Sequence, residues 1–389
     1  MKLTIRKTRR ECLRDVFAAA AVATFGGSTS AMAAASDSRA ADSTEDDSIT
    51  VNGLDPSALT LEVVQAQRAG GVNCWVKSTK SHADFATNYA FMAQHSDQIV
   101  PAFSVRDIIS ACRASKIALV FEWQDSTQLM EDGSPYSPAI NNLRNYHSLG
   151  LRICGIAYNV ANSFGGGVLE PRIGLTLNGR ELVEQIHKLK IVLDVGGHTG
   201  EQTSLDAIAM SSGVPVICSH TNMLTLVNNP RNTSDRLIEA IARTGGVIGV
   251  TAFNDFHIRT ENDTSRPTFP QVSLDKHLDQ YDYLKKLVGV DHIGLAPDFL
   301  AGRNGVFAAP EGASKPLPRL NENGSVNSLS PQAYSTWPWN EDAYVDGFDS
   351  IDKLPNVLRG LAQRGWTSEE IRKVMGENWL RVYRQVWGA

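Results

Sequence analysis

His198 and His220 each follow a short apolar run, 191–195 and 214–218, within the stretch KIVLDVGGHTGEQTSLDAIAMSSGVPVICSHT at 190–221. A neutral imidazole is a good ligand for a divalent ion, and an imidazole changes charge near pH 7. Two of them at equivalent chain positions can share one ion or one substrate. Other short apolar runs end on oxygen donors: Glu122, with Gln124 two residues on, then Tyr158-Asn159, and Asp298. Glu122 and Gln124 share strand parity and so face the same side. Imidazoles with carboxylates make an oxygen–nitrogen site suited to zinc, with iron or manganese also compatible. An ion so held lowers the pKa of its water to roughly 7, and Asp298 beside it can take that proton and pass it to a leaving group. Arg231, in the loop NNPRNTSD just past His220, is a candidate anchor for a substrate carboxylate.

These side chains converge only if the elements bring their strand ends to one edge. Between the two histidines, 203–212 has the spacing of one amphipathic helix, so 190–221 reads as strand–helix–strand with both strand ends on the same side of a parallel sheet. The same alternation recurs from residue 48 onward. Candidate strands are 49–53, 71–76, 117–122, 151–158, 191–196, 214–220, 246–253 and 292–298. Helical periods fill 178–190, 233–244 and 273–288, and Ser104 with Asp107, Ser137 ahead of Pro138, and Thr367 with Glu370 mark helix starts. Eight strands alternating with helices predict one (β/α)8 TIM barrel over 49–389, with its chemistry at the C-terminal mouth. A doubly wound open sheet is the competing arrangement, but no glycine-rich dinucleotide fingerprint follows the first strand. Gly165-Gly166-Gly167 lacks the strand–turn–helix setting of a phosphate loop. The connections 254–272 and 300–346 are long, and the second, with its prolines, Trp337 and Trp339, reads as a partial lid over the mouth.

The 389 residues exceed the usual one-domain length but suit a barrel with insertions. Hydrophobic content of 42% with 20% charged residues fits a soluble globular enzyme rather than a disordered or membrane-spanning chain. The net charge of -5 hides an asymmetry, because Lys2, Arg6, Lys7, Arg9, Arg10 and Arg14 crowd the first residues. No basic, aromatic-interleaved patch points to nucleic acid. Arg9-Arg10, the apolar run 16–25 and the small-residue site Ala31-Met32-Ala33 read as a twin-arginine-type signal peptide over 1–33. The run is too short to span a bilayer, so the expectation is a periplasmic or exported chain without a membrane span in its mature part. Residues 34–48 read as a disordered polar linker. Five cysteines without a C-x-x-C pair read as free thiols.

From about residue 70 to the C-terminus the chain resembles the membrane (renal) dipeptidase family, peptidase family M19. The resemblance rests on HSLGLR (147–152), GLTLNGRELV (174–183), the 190–221 stretch, PRNTSD (230–235), GGVIGV (245–250), VDHIGLAPDF (290–299) and GENWLRV (376–382) taken together. It implies a metal-dependent hydrolase barrel with a two-zinc site that hydrolyses dipeptides, often with a D-residue at the C-terminal position, and a homodimer. By position it implies metal ligation by His198 and His220, metal contact and proton transfer by Asp298, and carboxylate binding by Arg231. A metal-bridging glutamate falls at Glu122 or Gln124, of which only the glutamate bridges well.

The sequence also departs from the family. Leu54 and Pro56 stand where the first strand normally ends in H-x-D, with Asp55 between them. Tyr158 replaces a substrate-contacting histidine, and DVGGH has one glycine more than the usual D-x-S-H. The resemblance therefore implies one retained metal position, and one zinc ion rather than two. The expected function is an exported hydrolase that cleaves a dipeptide or dipeptide-like amide, with His198, His220 and Glu122 on the metal and Tyr158 at the substrate. Two other readings are a repurposed relative tailoring a peptide-derived metabolite and a non-catalytic binding protein with a degenerate metal site.

Overall fold

All eight expected runs form strands, and they are joined edge to edge in parallel. In the computed structural model the described residues are 48–258, 271–301 and 344–388. The strands are β1 (Val51–Asn52), β2 (Cys74–Ser78), β3 (Ile99–Pro101), β4 (Ile117–Trp123), β5 (Leu151–Gly155), β6 (Val192–Asp194), β7 (Cys218–Thr221), β8 (Ile248–Val250) and β9 (Ile293–Leu295). One sheet runs β1-β2-β4-β5-β6 and a second runs β7-β8-β9. Backbone hydrogen bonds join the two sheets at both seams. Val195 N–H donates to Ile217 O at 2.9 Å and Ile217 N–H to Leu193 O at 3.0 Å, while Gly53 N–H donates to Leu295 O at 2.9 Å. The result is the (β/α)8 barrel.

The strand β3 was not expected. It pairs with the first half of β4 (Ile99↔Ile117 to Pro101↔Leu119), and β5 takes the second half from Phe121. A proline lacks the N–H that a central strand needs, so so short a run ending in Pro101 sits beside one partner only.

Side chains sort by strand parity. Val51, Cys74, Val76, Ala118, Val120, Ile153, Val192, Ile217 and Val247 form one buried cluster with Trp379 and Tyr383 of the last helix, Asn378–Trp387. Trp75, Leu119, Phe121, Leu193, Ile248 and Leu295 pack with helical residues such as Val64, Phe85, Leu182, Ile238 and Leu284. The first set fills the barrel and the second seals it to the helices. Trp379 fits because Gly53 and Gly294 lack side chains; a Cβ on either would lie 2.5 Å from its indole.

Helices occur where periodicity placed them: Leu177–Lys188 behind an N-cap Thr176, Asp235–Arg243 behind Ser234, and Leu274–Val288 behind Ser273. Thr367 and Glu370 make a reciprocal capping box. Ser137 does not cap a helix. Its N–H turns back to Ser134 O at 3.2 Å, and the first helical turn, Ile140–Asn142, begins only after Ala139. The expected signal peptide (1–33), all of the linker 34–48 but its last residue, and residues 302–343 of the long loop lie outside the described residues, as do 259–270. No helix among the described residues is long and apolar enough to cross a membrane.

Candidate functional site

His198 sits four residues past the end of β6, on a segment held from outside the strand. Its carbonyl accepts the N–H groups of Asn159 (3.2 Å) and Val168 (3.0 Å), and Gly200 N–H donates to Gly166 O at 2.8 Å. Gly167 makes an antiparallel bridge with Thr199. A Cβ on Gly167 would stand 2.2 Å from the Asn159 carbonyl carbon, so only glycine allows this approach. The glycine run is thus a backbone clamp on the histidine segment. The same clamp holds Asn159 in a left-handed conformation (φ +60°), with its amide oxygen 2.7 Å from His198 Nδ1. Tyr158, at the mouth, stacks on the His198 ring with centroids 3.7 Å apart and planes 20° apart.

His220 lies within β7, fully buried, with Ser219 Oγ 2.7 Å from its Nδ1. Its Nε2 faces His198 Nε2 at 3.1 Å. Burial pulls both imidazoles well below the usual histidine pKa, and the nearby Arg231 charge lowers them further. Both rings are therefore neutral at pH 7, the form that binds metal. Zinc–nitrogen bonds of about 2.0–2.1 Å, opened by roughly 100°, put two ligand nitrogens about 3.1 Å apart. The pair fits a shared zinc-like ion on that measure. Asp298, left-handed at φ +64°, brings Oδ2 to 3.9 Å from His220 Nε2. Among the described residues, no three His, Cys, Asp or Glu side chains are drawn together into one metal-holding group.

Glu122 is fully buried at the end of β4, and its Oε2 accepts from Ser78 Oγ at 2.7 Å. Gln124 donates to the same Ser78 Oγ at 2.7 Å, so the two candidates for the bridging position are linked through one hydroxyl. Burial first, and then the Asp194 charge, push the Glu122 carboxyl well above its ordinary range, with Asp298 adding to the effect. Asp194 ends β6, and burial raises it to about 6. Glu122 Oε1 and Asp194 Oδ2 are both buried without a hydrogen-bond partner among the described residues. Sequence reading missed Asp194, although it closes the apolar run that leads to His198.

At the end of β1, where the sequence reading expected no H-x-D pair, Leu54 and Asp55 are held by neighbouring residues. Leu54 is buried in the inner cluster. Asp55 accepts from Asn52 Nδ2 (2.9 Å), Gln67 Nε2 (2.8 Å) and Ser57 N–H (2.9 Å), which ties it to the β1 loop. Arg231 is 1% exposed; one amino group, Nη1, donates to Gly197 O, and its guanidinium carbon lies 4.9 Å from the Phe256 ring centre. It borders a cavity of about 380 Å³ that Gly197, Thr199, Leu224 and Leu237 also line.

Comparison with known proteins places the chain among relatives of one family. A profile described as membrane dipeptidase (peptidase family M19) matches residues 70–318 and 339–388. An uncharacterized protein in the pqqA 5' region of Klebsiella pneumoniae is 26% identical over 286 residues, 72% of this chain and 86% of that protein. The dipeptidase tcpJ of Claviceps purpurea is 25% identical over 298 residues, covering 76% of this chain but only 57% of its own length. Among solved structures, an amidohydrolase from Pseudomonas aeruginosa superposes with a TM-score of 0.72 at 27% identity, covering 88% of this chain and 98% of that one. The chain belongs to the membrane dipeptidase family, peptidase family M19, a family of dipeptidase-like hydrolases.

Proposed function

We propose that the protein hydrolyses a dipeptide or dipeptide-like amide with the help of one divalent ion, most simply zinc. The observation that carries this reading is the pair of neutral imidazoles with Nε2 atoms 3.1 Å apart at adjacent strand ends. His198 and His220 would hold the ion, with Glu122 and Asp298 as the neighbouring carboxylates. Bound there, the ion would supply Lewis acidity to the scissile carbonyl and acidify the attacking water.

The remaining work falls to the chain. Asn159 and Ser219 hold the two Nδ1 atoms and so orient both rings. Asp298, part-exposed at the mouth, can take a proton from the attacking water and deliver it to the leaving nitrogen. Arg231 anchors a substrate carboxylate, and Tyr158 borders the space where the substrate lies. The name of the Claviceps relative supports a dipeptide-like substrate. The twin-arginine pair, apolar run and small-residue site support export to the periplasm, and the family resemblance supports a homodimer.

Purified folded protein, assayed for bound metal and for hydrolysis of L,D- and L,L-dipeptides, tests the reading. One ion per chain with turnover is the expected result, and His198→Ala removes both. Neither metal nor turnover in the parent would sink it. Metal without peptide turnover would favour the tailoring of another peptide-derived amide.

A further inference from the structure

Among the described residues, Ser115, Asn159, Lys190 and Asp298 hold a left-handed backbone without being glycine. Ser115 and Lys190 each follow a helix C-cap, Ala114 and Leu189, where such a conformation ends a helix in the ordinary way. Asn159 comes after β5 and Asp298 after β9, and no helix ends at either. Both stand at the imidazole pair. Asn159 Oδ1 lies 2.7 Å from His198 Nδ1, and Asp298 Oδ2 lies 3.9 Å from His220 Nε2. A backbone held out of its preferred region persists only where its surroundings over-determine it.

The φ and ψ angles of a residue are set by the two rigid peptide planes that flank it, and they fix the direction of its Cβ. The plane before Asp298 is tied at both of its polar atoms. Asp298 N–H donates to Leu54 O at 3.1 Å, while Pro297 O accepts the Ala252 N–H at 3.1 Å and the Thr251 hydroxyl at 3.1 Å. The plane after it is held through Tyr344, whose hydroxyl donates to Asp298 O at 3.2 Å. Tyr344 is buried, and its ring packs edge-on against Phe299 and Phe253, with centroids 4.8 and 5.9 Å apart. Its backbone bridges Phe253, and the next residue, Val345, donates its N–H to Ala252 O at 3.1 Å. The segment Thr251–Phe253 past β8 thus grips one plane directly and seats the residue that grips the other.

We propose that Tyr344 is a positioning residue for Asp298: its hydroxyl fixes the second peptide plane, keeps the left-handed turn and so aims the carboxylate at the imidazole pair. Without that bond the backbone relaxes toward the commoner regions and Cβ swings away from His220. Tyr344 acts on the backbone of Asp298 alone. The inference rests on Asp298 as the proton carrier of the proposed hydrolysis and adds the group that sets its direction.

Tyr344→Phe keeps the ring contacts and deletes only the hydroxyl. In a crystal structure of the metal-free full chain carrying it, Asp298 should leave the left-handed region, with its carboxylate displaced by about 1 Å or more from its place in the parent; a shift of that size costs on the order of tenfold to a hundredfold in rate. With an L,D-dipeptide, kcat should fall by about tenfold or more while KM stays within about twofold. Added to Asp298→Asn, the same substitution should change the residual kcat by less than about twofold, because the carboxylate it aims is gone. A general loosening of the fold would lower kcat equally in both backgrounds, and that result overturns the proposal, as does a carboxylate that stays in place in the variant structure. A displaced Asp298 in a protein without turnover would fault the hydrolase reading alone. Turnover in the parent with an unmoved Asp298 in the variant would fault this one alone.

Discussion

Asn159 Oδ1 and His198 Nδ1 stand 2.7 Å apart, and that contact decides which ring nitrogen is left to bind. An amide oxygen only accepts, so Nδ1 carries the proton and Nε2 presents its lone pair toward His220. Asn159→Ala removes the acceptor and lets the ring turn. Zinc affinity should fall about 10- to 100-fold, read by titration against a competing chelator. An unchanged affinity would mean that the glycine clamp alone orients the ring.

Glu122 and Asp194 put two carboxyls in the barrel, each with one oxygen that has no hydrogen-bond partner among the described residues. Glu122 is raised well above its ordinary pKa, chiefly by burial and then by Asp194. For an acid whose folded pKa is raised, stability falls as pH climbs above the unfolded value of about 4.3. Glu122→Gln has the same shape without the charge, so the metal-free variant should be more stable at pH 7 by on the order of 1–3 kcal/mol, while its zinc affinity drops. Urea unfolding of metal-stripped protein reads the first effect. A less stable variant would show that the carboxylate is already compensated.

A second histidine pair gives an acid-sensitive joint. His257 Nε2 lies 3.2 Å from His277 Nδ1, and both rings are buried. Burial lowers His257 to about 4 and His277 well below its usual value. Between about pH 6.5 and 4 the unfolded chain binds more protons at these sites than the folded chain, so stability is full above that window and declines as pH falls through it. The slope is about 1.4 kcal/mol per pH unit for each histidine. His257→Asn should flatten the decline in urea midpoint below pH 6.5 relative to the parent. Parallel curves would show that His257 does not contribute.

Trp379 closes the bottom of the barrel against Gly53 and Gly294. Trp379→Ala leaves a large void with little able to collapse into it, and should cost about 3–5 kcal/mol in urea or thermal unfolding. A loss below about 1 kcal/mol would mean that Tyr383 and Leu380 refill the space.

The strand runs were legible because each joins β-branched or aliphatic residues between turn signals, and a parallel barrel buries both faces of every strand. The two histidines and Asp298 were legible because strand ends are where such a barrel gathers polar groups. The run at Ile99–Pro101 was too short to register. Gly165-Gly166-Gly167, Asn159, Gly197 and Phe256 act through contacts with segments far away in the chain, and no local spacing encodes such contacts. Asn159 was the nearest to being found, since it already stood at a strand end beside Tyr158. The fate of Asp55 was invisible for the same reason, because Gln67 and Asn52 become its partners only once β1 and the helix Leu61–Ala69 have packed together.

The floor of the barrel has a consequence for how the protein is made. The glycines that admit Trp379 are at positions 53 and 294, so both walls precede the residue that packs against them in the chain. A nascent chain that has emerged only as far as β9 has every strand but lacks Trp379 and Tyr383, which pack among their inward side chains. Its barrel can become watertight only after residue 379 has been synthesised, and a product truncated before that point would remain a target for chaperones and proteases.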